Sequence, residues 1–556
     1  YSYNDKAMQV THGDGNMSLD LAVESVKQYT VAEAEITEIL LKDKVYPFFV
    51  KQCYKAYKNS DVIGTWVEVT NQEKKPVTMY KFASAFIPVR RGDNWLTHFH
   101  GTWGAENMLQ EERLTDGQKI IKNEDGVRNT TNENPSFMLT LDGKPQEETG
   151  HVFGASLAWS GNYTLKLDVD NNRIIKIYAG INEDASYYTL DPKKTFVTPE
   201  FAMTYSTTGK GGVSRNFHRW ARMYKLSHAD SDRDILLNSW EGVYFKVDQE
   251  VMAQMMKDMS QLGGELFVMD DGWFGDKYPR DGGSTSLGDW VVCKKKLPQG
   301  IEGLIASAKK CGIKFGLWIE PEMVNSKSEL YEKHPDWIIC QDNRTPTTGR
   351  GGTQMILDLS NPKVQDFVFG VVDNLMTNYP EIAYIKWDAN ASIMNYGSYY
   401  LPKDRQSHLY IEYHKGLNNV LERIRTKYPH LLMQACASGG SRVNYGLLPY
   451  FGEFWTSDNT DAYQRIYMQW GVSNFYPAIA MASHVSADKN HQTGRRTPLK
   501  FRFDVAMSGR LGMEMQPKDM TDGDKEFAKR AIKAYKEIRP IVQHGDLYRL
   551  VSPYDK

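Results

Sequence analysis

A chain of 556 residues is too long for one ordinary hydrophobic core, so two or three domains are expected. With 41% apolar and 24% charged residues it reads as a globular protein, and a net charge of −2 gives no field that would draw nucleic acid or an anionic membrane. No apolar run is long enough to span a bilayer, and the opening "YSYNDKAMQV" lacks the charged-then-apolar pattern of a signal peptide.

Up to about residue 228 the pattern is that of strands. "DVIGTWVEVTNQEKKPVTMYKFASAFIPV" (61–89) alternates apolar and polar residues on either side of a break at "NQEKKP", which predicts two strands and a turn. "ASLAWSGNYTLKLDVDNNRIIKIYAG" (155–180) repeats it, with "DNN" as the turn. Many strands without long helical periods predict a large β-sandwich, left through a short helix at "NFHRWARMYKLSH" (216–228).

From about 233 eight apolar runs alternate with amphipathic segments. The runs are "DILLNSW", "GELFVMDDGW", "KFGLWIEPE", "IAYIKWD", "HLLMQACASGG", "FGEFWTSD", "AIAMASHVS" and "RFDVAMSGRLGMEM". Between them "VMAQMMKDMSQL", "IEGLIASAKKCG", "VQDFVFGVVDNLMTNY" and "GLNNVLERIRTKY" carry helical periods, the methionines of the first reading as core. Near-continuous apolar strands alternating with helices predict a parallel sheet, and eight units in about 300 residues fit a (β/α)8 barrel. An open doubly wound sheet is the alternative, but no GxGxxG follows the first run. The domains expected are a β-sandwich at 1–228, a barrel at 233–540 and, at 541–556, the beginning of a C-terminal β-domain that is mostly absent.

Seven of the runs start apolar and end polar or aromatic, at Trp240/Glu241, Asp270/Asp271, Glu320/Glu322, Lys386/Asp388, Cys436/Ser438, Asp458 and His484. In a barrel these ends meet on one face, where loops build the site. A single such Asp reads equally well as a helix cap; the same register in successive strands points to a shared polar guest. Metal-assisted hydrolysis would need His and carboxylate ligand sets, and no HxH or HExxH is present. Schiff-base chemistry at Lys386 would need a depressed lysine pKa, which Asp388 on the same strand face opposes. Glycoside hydrolysis needs two carboxylates in a polar and aromatic rim, here furnished with Trp240, Trp273, Trp318, Trp387 and Trp455.

The motifs "DDGWFG", "LWIEPEMVN", "YIKWD.N", "CASGGSR", "SDNTDA" and "HVSADKNHQTGR" resemble glycoside hydrolase family 36, best known for α-galactosidases, as do "FHGTWGAE", "SGNY" and "TPEF" in the first half. The resemblance spans nearly the whole chain and implies a β-supersandwich, a (β/α)8 barrel and a C-terminal β-domain. It implies a retaining exo-α-galactosidase with no metal or organic cofactor, in which Asp388 is the nucleophile and Asp458 the acid/base. Asp270 and Asp271 would bind sugar hydroxyls, and Trp240 and Trp318 would line the pocket. Arg350, two residues further from "Q..LDLS" than in the family pattern, would bind sugar as well. Lys386, Asn390 and Cys436 match the remaining pocket positions.

Two departures stand out. Where the family often reads "KWDMNR", Ala389 and Ala391 replace the Met and the Arg, so the loss of a cation is expected to alter the leaving-group side. The strand-5 loop, often "C.GGGGR", carries Ser438 and Ser441 near the sugar 2-position. An α-N-acetylgalactosaminidase is therefore an alternative, as are a transglycosylase and a non-catalytic sugar-binding protein on the same scaffold. Asp461 is expected either to cap a helix or to supply the negative charge that keeps Asp458 protonated.

Implied partners are α-galactoside oligosaccharides such as melibiose and raffinose, no nucleic acid and no membrane, in a homo-oligomer for which a tetramer is the family reference. The glycine-rich "TTGKGGVS" (207–214) and "TGRGGTQ" (348–354) lack phosphate-loop spacing and are expected to be turns, and "NHQTGRRTP" is one isolated basic loop. Five scattered cysteines, with no CxxC pair, read as free thiols and lean towards the cytoplasm, with the periplasm or secretion as alternatives.

Overall fold

Among the described residues the strands of the first half pair antiparallel and divide between two sheets. The structure, a computed structural model, describes residues 6–170 and 174–555. The larger sheet runs from the edge strand Leu21–Thr30 through Ala34–Asp43, Phe48–Tyr57, Val62–Asn71, Phe201–Ser206, Val152–Leu157, Ser136–Thr140 and Trp95–Phe99 to Leu109–Arg113. The smaller runs Met8–Thr11, Val77–Arg90, Ile174–Ile181, Tyr163–Val169, Gly117–Lys122. Their inner faces share one core that includes Val67, Val69, Met79, Phe82, Leu165 and Ile177. The two strands expected within 61–89 are present, but they belong to different sheets, so the turn between them crosses from one layer to the other. The turn expected at "DNN" lies, but for Asp170, outside the described residues.

The exit helix begins earlier than expected. Gly209–Trp220 is α-helical and Ala221–Lys225 continues as a π turn. The segment 207–214 is thus no free turn: it opens a helix directly after the strand Phe201–Ser206. Its amides are nonetheless spent, since those of Gly209, Lys210 and Gly211 donate to the carbonyls of Gly150, Gln146 and Glu147, which leaves no cradle for a phosphate.

The second half is a closed parallel barrel of eight strands: Leu236–Asn238, Leu266–Met269, Lys314–Ile319, Ile382–Trp387, Leu432–Ala435, Glu453–Trp455, Met481–Ser486 and Arg510–Glu514. Each of the eight apolar runs holds one strand. In the last run only Arg510–Glu514 is extended. Its front part lies in the helix Leu499–Ala506, which buries Arg502, Phe503 and Ala506 on one face. The helix Gln249–Leu262 is capped by Asp248 and ended by Gly263 at φ +96°, and it buries Met252, Met255, Met256 and Met259.

The last helix, Asp522–His544, continues through Pro540 and past the boundary expected there. Residues 545–555 form no strand. They lie back over the domain junction, where Arg549 donates to the Ser473 carbonyl at 2.9 Å and Ser214 Oγ at 2.7 Å and pairs with Glu147 at 2.8 Å. The five cysteines are in no disulfide, and among the described residues no helix is long and apolar enough to cross a membrane.

Candidate active site

Barrel strand 4 ends at Trp387, and Asp388 follows it at the rim, 7% exposed. Four donors converge on its carboxylate. The amides of Ala389 (2.9 Å) and Ser438 (3.2 Å) donate to Oδ1, and Asn390 Nδ2 (2.8 Å) and Trp318 Nε1 (3.3 Å) donate to Oδ2. Burial alone would raise its pKa. The Lys386 charge, the Asn390 bond, the Arg350 charge and the Cys436 thiol more than reverse this, so Asp388 sits below the ordinary aspartate range.

Asp458 follows barrel strand 6 and is held by two indoles, Trp455 Nε1 to Oδ1 at 3.2 Å and Trp103 Nε1 to Oδ2 at 3.1 Å. Burial and then the negative charge of Asp388 raise its pKa, against the weaker pull of Lys386, the Trp103 bond and Arg350. Asp461 is a helix cap: it accepts the Tyr463 amide at 3.1 Å and pairs with Arg495 at 2.8 Å. The basic loop that carries Arg495 is likewise spent on acids, with His491 on Glu241 and Arg496 on Asp488.

Lys386 does not bond Asp388. Its ammonium donates to Asp270 Oδ2 at 2.8 Å, and its charge reaches Asp388 through space. Burial works against that ammonium, but Asp270 and neighbouring acids hold its pKa well above the ordinary lysine range, which removes the basis for a Schiff base. Asp270 also accepts from Asn238 at 2.7 Å, and Asp271 is gripped by both arms of Arg280 at 2.9 Å. The ring of Phe245 lies 5.5 Å from that guanidinium and meets Trp240 edge-on at 5.1 Å, which ties Trp240 to the Asp271 side.

Ser438, at φ +48°, turns its hydroxyl onto Asn390 Oδ1 at 2.7 Å. Arg350 heads a short turn in which Gly351 and Gly352 both take φ near +67°, a region that glycine enters without strain. Both lie in the stretch between Arg350 and Gln354 that is two residues longer than the family pattern. Arg350 is exposed, yet the field of Glu320, Asp388, Asp458 and Asp271 outweighs its desolvation and raises its pKa. Ala389 and Ala391 are buried in the core, and the turn bearing Arg350 passes beside Ala391. After Lys386, the second cation acting on Asp388 is Arg350.

Several groups escaped the sequence reading. Glu320, recognised only as a strand-end acid, accepts the Asn390 amide at 2.6 Å and Gln354 Nε2 at 2.7 Å; burial and the nearby Asp388 charge push it up to about 8. Glu514 ends strand 8 and accepts from or donates to His484 Nδ1 at 2.9 Å. Below it Gly512 makes room for the His484 ring, and Arg510 closes the stack on Glu453. Trp103 and Glu106 come from the β-sandwich loop "FHGTWGAE", which carried a family resemblance but no sign that it reaches the barrel. Among the described residues no group of three or more His, Cys, Asp or Glu side chains is set to hold a metal ion. Chemically, the site pairs one acid stabilised as its anion with one stabilised as its proton donor.

Residues 195–545 match the melibiase family model, and residues 2–191 match the glycosyl hydrolase family 36 N-terminal domain. The chain is 37% identical over 525 residues to α-galactosidase AgaA of Geobacillus stearothermophilus, covering 94% of this chain and 71% of that protein. It is 35% identical to α-galactosidase Mel36A of Lactobacillus acidophilus, covering 93% and 70%. A variant of AgaA solved in complex with stachyose superposes with a TM-score of 0.95 at 35% identity, over 99% of this chain and 78% of that one. The α-galactosidase of Lactobacillus brevis gives 0.95 at 33%, over 100% and 76%. The chain therefore belongs to glycosyl hydrolase family 36 and is a glycoside hydrolase.

Proposed function

We propose that this enzyme is a retaining exo-α-galactosidase that releases terminal α-linked galactose from oligosaccharides such as melibiose and raffinose. The observation that carries the reading is the opposite polarisation of two acids at one rim, Asp388 pushed towards its anion and the half-buried Asp458 towards its acid. In this reading an Asp388 oxygen attacks C1 while Asp458 gives its proton to the departing glycosidic oxygen. The glycosyl ester is then opened by water, whose proton returns to Asp458, and galactose leaves with its α configuration kept. Lys386, Asp270, Asp271, Arg350, Asn390 and Cys436 hold the sugar hydroxyls, with Trp240 and Trp318 as walls. Relatives solved with stachyose and with raffinose support the substrate class.

Galactose is favoured over N-acetylgalactosamine by Ser438. A substituent at C2 lies beside the nucleophile, where the Ser438 hydroxyl, folded onto Asn390, already takes up volume. A domain division at 1–228 and 233–540, a homo-oligomer with a tetramer as reference, and a cytoplasmic setting supported by unpaired cysteines belong to the same reading.

Asp388→Ala is expected to abolish turnover and to recover part of it with azide, giving the inverted glycosyl azide; retained activity without azide would sink the assignment. Asp458→Ala is expected to spare 4-nitrophenyl α-galactoside, whose leaving group needs no proton, far more than raffinose. A side-by-side assay on the nitrophenyl α-glycosides of galactose and N-acetylgalactosamine separates the two sugars.

A further inference from the structure

We propose that the β-sandwich loop 100–108 is part of the leaving-group side of this site, and that Trp103 both holds the catalytic acid and offers its ring face to the sugar beyond the scissile oxygen. The proposal rests on the glycosidase reading. An acid that protonates a leaving oxygen stands beside that oxygen, so everything attached beyond it lies on the acid's side of the pocket. The side chain found there comes from the other domain. Trp103 donates its indole N–H to Asp458 Oδ2 at 3.1 Å, yet the residue is 50% exposed. Its polar edge is engaged inward and much of its ring is open beside the half-buried carboxyl of Asp458. A fixed aromatic face next to a polar group is what stacks on the apolar face of a pyranose.

The loop is braced for this. Thr102 and Ala105 close a tight turn through paired backbone bonds of 3.2 and 2.9 Å, around Gly104 at φ +75°. The Gly104 carbonyl accepts Asn459 Nδ2 at 2.9 Å from the residue next to the acid. Glu106, fully buried, accepts Ser457 Oγ at 2.5 Å from the residue on its other side. The loop thus grips the segment 457–459 from both ends. A tryptophan that merely covered the surface would need neither the bond to Asp458 nor this bracing.

The test compares Trp103→Phe, which keeps a ring and removes the N–H, with Trp103→Ala, which removes both. Each is assayed on raffinose and on 4-nitrophenyl α-galactoside, with Asp458→Asn alongside. Trp103→Phe is expected to lower kcat on raffinose about tenfold, the scale of one hydrogen bond to an ionisable group, and to change kcat on the nitrophenyl substrate little. Trp103→Ala is expected, in addition, to raise KM for raffinose several-fold, while the inhibition constant for free galactose stays put. Equal losses on both substrates, or raffinose kinetics unchanged in both variants, would overturn the proposal. If Asp458→Asn itself keeps full turnover of raffinose, the glycosidase reading fails; if it loses turnover and the Trp103 variants do not, only the role of the loop fails.

Discussion

Asp388 and Asp458 carry the same side chain, and their surroundings drive them apart. Four donors and two nearby cations stabilise the first as an anion. Burial and the charge of Asp388 stabilise the second as an acid. A third acid, Glu320, lies beside them with a pKa near 8, well above its ordinary 4.5. Its folded form keeps a proton that the unfolded chain gives up, so the stability it lends is full below about pH 4.5 and is lost as pH rises towards 8. Glu320→Gln should therefore flatten the fall of Tm between pH 5 and pH 8 in scanning calorimetry, and a variant whose Tm tracks the parent at both ends would contradict this. At this scale the sequence was legible in position: Asp388, Asp458, Asp270 and Asp271 follow barrel strands, as their motifs predict. It was silent on Trp103, which is 355 residues from its partner, because nothing in local spacing says which sandwich loop reaches the barrel.

Elements were legible where burial leaves a period. The barrel strands bury both faces, so most of them lie in near-continuous apolar runs, and each of the eight runs holds one strand. The register failed where a run mixed two periods, as at 502–506, and where glycines left no side chains to show one, as at 207–214. Inside the barrel the last strand shows what a missing side chain does. A Cβ on Gly512 would lie 2.5 Å from His484 Cδ2 and 2.7 Å from its Nε2. The ring is confined there between Arg510 and Glu514, and it packs 4.3 Å from Trp455, which holds Asp458. Gly512→Ala is expected to cost about 1–3 kcal/mol through overpacking, read as a lower urea midpoint with an unchanged slope. Because the displaced ring bears on Trp455, kcat on raffinose should fall with it.

At the scale of the molecule the two domains are joined through the site itself. The buried Thr130 of the sandwich donates to the Gly440 carbonyl at 2.9 Å, accepts the Val443 amide at 2.8 Å and gives its own amide to Ser441. It thereby fixes the strand-5 loop whose Ser438 amide holds Asp388. Thr130→Val strands two buried backbone groups and is expected to cost about 1–3 kcal/mol for each group left unpaired. Calorimetry should show one transition, moved down, with kcat reduced; two separate transitions in the parent protein would refute the joint unfolding of sandwich and barrel. The two indoles on Asp458 come one from each domain, and this makes the acid a strain gauge. A small rotation of one domain against the other would pull Trp103 away from the carboxylate before any barrel strand parted. Turnover of a demanding leaving group divided by turnover of an easy one then reports domain alignment continuously, in mild urea or under pressure, while every spectroscopic signal of folding is still flat.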